Sequence, residues 1–155
     1  TVSPDSGTRT SASVSAMLTR ITTLDVVRVI GSPWQRRFAN EFAERRRLRT
    51  GYAFDSTTIE RRPTMTSLFS TVPSAVVRLA RGGQFVVTLP SVQGGRCTAS
   101  VWLDGWRSTY EELAALRPND LAAIEVFPRA SQVPLRFSGP GGCGAVVVWT
   151  KWAFR

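Results

Sequence analysis

Apolar residues in this sequence come in short bursts. The longest uninterrupted runs, such as Ala145-Val146-Val147-Val148-Trp149, stop at about five residues, against the roughly 20 that a helix needs to span a bilayer. Glycine, proline and Asp-Gly pairs follow most of them, and these residues punctuate strands and turns. A chain divided in this way has to assemble short strands and short helices around a shared core. Its 155 residues, 43% apolar and 20% charged, suit one globular domain with tails and no transmembrane segment.

Residues 1–20 begin with TVSPDSGTRTSASVSA, which has no apolar periodicity and too little apolar surface to order itself. This stretch is expected to be an extended tail ordered by a partner, followed by a single α+β domain over 21–155. Leu24 to Ile30 is a β-branched run ended by Gly31-Ser32-Pro33 and predicts a strand. Ser32 and Pro33 then open a helix on which Trp34, Phe38 and Phe42 share one face, and Thr50-Gly51 ends it. Asp55 or Ser56 caps a short helix stopped at Pro63, and Thr64 or Thr66 caps another that carries Met65, Leu68, Phe69 and Val72. Val76 to Leu79 and Gln84 to Leu89 read as a hairpin across Arg81-Gly82-Gly83. Thr98 to Leu103 reads as one strand turned by Asp104-Gly105, Tyr110 to Leu116 as a short helix, and Ile124 to Phe127 and Gly144 to Thr150 as the last strands. Short helices between short strands predict an α+β domain built on a small mixed sheet.

The side-chain inventory narrows the chemistry. There is no histidine and there are only two cysteines, so His-based triads, His–metal sites, zinc ribbons and haem attachment motifs are excluded. Glu111 and Glu112, adjacent on a helix, point in different directions and make a poor acid–base pair. No catalytic residue, cofactor or metal ligand is expected, and the chain reads as a non-enzyme.

The formal charge is +9, and Lys151 is the only lysine among 20 basic residues. Arginine's planar fork suits carboxylate and phosphate and tolerates interfaces, so an acidic partner surface competes with plain solubility as the reason for the charge. The densest positive stretch runs from Glu44 to Arg49. Arg36, Arg37, Arg45 and Arg47 lie mostly away from the aromatic face of their helix, and with Arg46 and Arg49 they are the docking candidates. Nucleic acid is not an expected partner, because Glu41 and Glu44 interrupt the run and no aromatic ladder accompanies it. Of the five tryptophans, Trp102, Trp106, Trp149 and Trp152 fall on two of the predicted strands or at their ends. They serve either core packing or an interface, where Trp and Arg are enriched. Trp106-Arg107 and the stretch from Lys151 to Arg155, with Trp152, Phe154 and Arg155, are the candidate patches.

Taken in order, several segments form a series. Leu24 to Gly31 looks like the valine-rich segment that precedes a plug domain. Ser67-Leu68-Phe69 through Val72-Pro73-Ser74-Ala75-Val76-Val77 is similar to an "L…VPGV…V" element, with Ser74 where glycine is usual. Val101 to Gly105 is similar to a "YLDG" hairpin, Pro118 to Phe127 to "P-x-D-I-x-x-IEV", and Gly144 to Lys151 to "GVIxIxTK". From about Leu24 to Trp152 the chain thus resembles the plug domain of TonB-dependent outer-membrane receptors, in a stand-alone form. A receptor barrel needs some 22 strands of about ten residues each, so this stretch is not itself a pore. Asp104 and Gly105 supply the tight turn of the hairpin, and Glu125, between Ile124 and Val126, faces the opposite side of its strand, where it can pair with an arginine.

Cys97 and Cys143 each precede a predicted strand. They would be free in a reducing cytosol; were the strands neighbours, a bond would close a loop of about 47 residues. Together with the plug resemblance, the expectation is a Cys97–Cys143 disulfide and a periplasmic, membrane-peripheral location. The expected function is that of a non-catalytic module docking on protein subunits of a larger membrane complex. Candidate hosts include a photosynthetic reaction centre and an outer-membrane transporter; the alternative is a plug or signalling module of TonB-dependent uptake.

Overall fold

A computed structural model describes residues 32–154. The expected strand over Leu24 to Ile30, the tail over 1–20 and Arg155 lie outside the described residues.

The sequence's longest apolar run becomes strand β8, Ala145–Thr150, at the centre of a five-stranded sheet. Its side chains alternate between two cores: Val146 and Val148 enter one, and Ala145, Val147 and Trp149 the other. A strand covered on both faces needs apolar residues at every position, which is why the run is unbroken. β7, Leu121–Phe127, lies antiparallel to β8 on one side. β5, Ser100–Leu103, lies parallel to it on the other. The edges are β1, Tyr52–Asp55, beyond β7, and β6, Trp106–Ser108, beyond β5. A register shift between Leu121 and Ala123 lets Leu121 join the same core as Ile124 and Val126, while Ala123 and Phe127 enter the other.

Helix α1, Pro33–Leu48, covers one face of this sheet with Phe42, joined by Phe137 from the Pro128–Gly142 loop. No acidic residue occupies the first turn of α1, while Arg45, Arg46 and Arg47 stand in the last, where their charge favours the helix dipole. The other face carries a second sheet, β2 (Val76–Leu79), β3 (Phe85–Pro90) and β4 (Arg96–Thr98). With it pack α2 (Ser56–Glu60), α3 (Met65–Phe69) and α4 (Tyr110–Ala115), through Ile59, Leu68, Phe69 and Leu113. The caps are those the sequence points to: Asp55 accepts from the Thr58 amide at 2.9 Å and Thr64 from the Ser67 amide at 3.2 Å. The result is the expected small α+β domain.

The stretch from Thr98 to Leu103, expected as one strand, is divided. Residues to Thr98 belong to the second sheet and residues from Ser100 to the first. Ala99 crosses between them, its amide donating to Val87 O at 3.0 Å. The Tyr110 hydroxyl lies 3.1 Å from both Val87 O and Ala99 O and so ties the sheets together; burial pushes its pKa up despite the bond to Val87. Cys97 and Cys143 form a disulfide across the same crossing, with Cα atoms 5.9 Å apart.

Candidate functional site

At the β6 edge the two layers do not close over the sheet. The first turns of α1, the β5–β6 hairpin, the end of α4 and the segment after β8 surround a groove of about 930 Å³. Trp34, Phe38, Leu103, Trp106, Leu116 and Trp152 give it an apolar lining. Trp106 is 80% exposed, Trp152 57% and Trp34 39%. Three large aromatic side chains left in water around one depression are unusual for a surface with no partner.

Each wall is fixed by local chemistry. Asp104 and Gly105 adopt φ values of 49° and 90°, the doubly left-handed pair that a two-residue hairpin uses to keep the strand twist. The Asp104 carboxylate also accepts from the Thr150 amide and hydroxyl, both at 2.8 Å, and so locks the hairpin to the end of β8. Gln35, buried in the first turn of α1, accepts from the Ser32 amide at 2.7 Å and donates to Trp152 O at 2.7 Å. That bond sets the Trp152 ring 5.0 Å from Trp34. Glu112 reaches back to the Thr109 amide at 3.2 Å, and the Thr109 hydroxyl accepts from the Glu112 amide, the reciprocal cap that starts α4. Both of the groove's carboxylates thus accept hydrogen bonds from the protein's own walls. Arg107 is the opposite case: its guanidinium lies 5.6 Å from the Trp102 ring centroid, and among the described residues it enters no ion pair.

The sequence candidates separate into two regions. Trp106, Arg107 and Trp152 meet at the groove. Arg46 and Arg49 line a smaller cleft of about 430 Å³ with Tyr52, next to β1 at the opposite edge of the sheet. Arg46 pairs with Asp55 at 3.0 Å, and Arg37 and Arg47 pair with Glu41 and Glu44 on their own helix. Arg36 is exposed. Arg45 and Phe154 are corrections to the docking set. Arg45 turns inward, donating from Nε and Nη2 to the Glu125 carboxylate at 2.7 and 2.8 Å, because its place on α1 lies over Glu125. Phe154 packs half-buried on Phe42 and Trp149.

Trp34, Gln35 and Arg136 were not legible as site residues. Trp34 shares the i, i+4 stripe of Phe38 and Phe42, yet it is exposed and packs on Trp152. Arg136 lies 4.8 Å from the Phe38 and Phe137 ring centroids and pairs with Glu41 at 2.6 Å. Burial works to raise the Glu41 carboxyl; the hydrogen bond from Arg37 and the charges of Arg136, Arg37 and Arg45 outweigh it and hold Glu41 below its ordinary value. Among the described residues no group of three or more metal-ligating side chains assembles, and no helix is long and apolar enough to cross a membrane.

No protein-family profile matches the chain, and no curated protein matches it. Among solved structures it is similar, over 66% of its length, to a chain in the structure of the RagAB peptide importer in the "closed-closed" state, with a TM-score of 0.47 and 19% identity. The chain spans 12% of that chain's length. The likeness is partial.

Proposed function

We propose that this chain is a non-catalytic interaction module of the bacterial envelope, an extrinsic subunit that docks on protein subunits of a larger membrane-associated complex. The observation that carries the reading is the groove, where Trp34, Trp106 and Trp152 stand exposed around an apolar floor. Aromatic residues in a pocket rimmed by arginine are the composition of interface hot spots. The Cys97–Cys143 bond supports an oxidising, extracytoplasmic compartment. Hosts that fit include a photosynthetic reaction centre and an outer-membrane transporter. A second reading, a plug or signalling module of TonB-dependent uptake, draws on the motif series, whose Val101–Gly105 member falls on a hairpin and whose Gly144–Lys151 member contains the central strand.

The test is mild solubilisation from native membranes, a high-salt wash, and mass spectrometry of what co-migrates, with wild type and Trp106→Ala side by side. Stoichiometric recovery with a membrane complex, reduced at least tenfold by Trp106→Ala, is the expected result. Recovery of the wild type as a free monomer overturns the extrinsic-subunit reading.

A further inference from the structure

From the same groove we infer the chemistry of its occupant: an extended segment of a partner protein that carries apolar side chains and at least one carboxylate, seated along β6 with the carboxylate on Arg107. The inference rests on the docking reading above and narrows it to one class of ligand.

Three observations converge. The first is shape and lining: about 930 Å³ bounded by Trp34, Phe38, Leu103, Trp106, Leu116 and Trp152 exceeds what one side chain fills and suits several consecutive apolar residues. The second is charge. Asp104 accepts on both carboxylate oxygens from Thr150, whereas Glu112 accepts from Ser108 and Thr109 on Oε2 alone; the cation among the lining residues is Arg107. Arg107 is exposed, is held over Trp102, and enters no ion pair among the described residues. A guanidinium whose plane is already steadied by a ring loses less freedom on taking up a carboxylate than a free one would. A protein of charge +9 adds long-range attraction for such a ligand.

The third observation is the sheet edge. Among the described residues β6 pairs only with β5, with Leu103 opposite Trp106 across the two-residue turn and Trp102 opposite Arg107. In such a hairpin the residues flanking the turn exchange both backbone bonds, and the next residue turns its N–H and C=O outward. That next residue is Arg107. Its backbone offers one donor and one acceptor to an incoming extended chain, beside its own side-chain charge. A segment with an acidic residue there and apolar residues on either side meets all three features at once.

Panning a phage-displayed library of random 12-residue peptides on the full-length protein tests this. The enriched sequences are expected to combine β-branched or aromatic residues with Asp or Glu, and to bind Trp106→Ala at least tenfold more weakly. Arg107→Glu is expected to lose the acidic peptides and, panned afresh, to enrich Lys- or Arg-bearing ones. Backbone amide shifts confined to Trp106–Ser108 and the groove on adding an enriched peptide locate it.

Enriched peptides with no acidic bias, or affinity unchanged in Arg107→Glu, overturn the inference. So does enrichment that occurs only after Val26, Val27, Val29 and Ile30 are all changed to serine, since the chain's own preceding residues would then be the occupant. Self-association that shields Trp106 from a soluble quencher, or shielding by anionic vesicles that no enriched peptide relieves, would assign the groove to a second copy or to a lipid surface instead. If Trp106→Ala still abolishes co-purification while the acidic bias is absent, the docking function stands and only the ligand class fails.

Discussion

Glu125 is 2% exposed, and three donors converge on its side chain: Nε and Nη2 of Arg45, and Trp149 Nε1 at 2.9 Å. Burial opposes the charge of Arg45, and the hydrogen bond and charge of Glu125, with help from Glu41, hold its pKa above the ordinary value. Removing one partner strands the other, so Arg45→Ala is expected to destabilise the fold by about 3–5 kcal/mol. Arg45→Met combined with Glu125→Gln keeps an acceptor for Trp149 without a buried charge and is expected to recover at least half of that loss, as read from urea unfolding. Ser74 tests backbone strain in the opposite sense. It sits at φ 68° with an exposed side chain, in the left-handed region that costs a non-glycine residue about 1–2 kcal/mol. After allowing for the entropy glycine loses on folding, Ser74→Gly is expected to stabilise by about 0.5–1 kcal/mol, seen as a rise in the denaturation midpoint at constant slope.

Elements in this protein are placed by close approaches as much as by pattern. Gly144 leads into β8 where a Cβ would overlap the carbonyl oxygen of Phe127 and the side chain of Leu89. Neither the oxygen nor the packed core can give way cheaply, so Gly144→Ala is expected to cost about 2 kcal/mol or more, with hydrogen exchange fastest in β8 and β7 if the central pairing is what loosens. Asp55 ends β1 and caps α2, and the bonds from Thr58, then the ion pair with Arg46, hold its pKa below the ordinary 3.8. A depressed carboxyl stabilises the fold fully above its unfolded value, and that contribution disappears as pH falls through the folded one. Stability should therefore drop below about pH 4, and Asp55→Asn should flatten that acid limb while lowering the plateau at neutral pH. The Pro33 helix, the hairpin at Arg81 to Gly83, the Asp104-Gly105 turn and the strand from Gly144 were all readable, because capping residues, glycines and a doubly buried run have unambiguous local causes. β1 and β6 were not, since YAFD and WRS are too short to show alternation and are strands only through pairing with β7 and β5. The division at Ala99 was hidden for the same reason: a residue that leaves one sheet and enters another has no signature of its own. Half of the groove was legible as the candidate patches after β5 and β8, with core or interface left open for their tryptophans, while Trp34 was masked by its place in a stripe that is otherwise core.

At the scale of the whole molecule the two sheets are joined by the Ala99 crossing, the Tyr110 hydroxyl and the Cys97–Cys143 bond. The bond spans 46 positions, and closing a loop of that size restricts the unfolded chain by on the order of 4 kcal/mol in the chain-entropy account. Cys97→Ser with Cys143→Ser is expected to lower stability by about 3–4 kcal/mol, measured by chemical denaturation against the oxidised wild type; a loss under 1 kcal/mol would mean the crossing is held without it. The order of strands has a consequence of another kind. β8 lies between β7 and β5, yet it is the last of the described strands to leave the ribosome. Until Ala145 to Thr150 are synthesised, β7 and β5 have no neighbour on their inner edges and both cores lack their middle wall. Both cores therefore close late, when the last of the described strands is made.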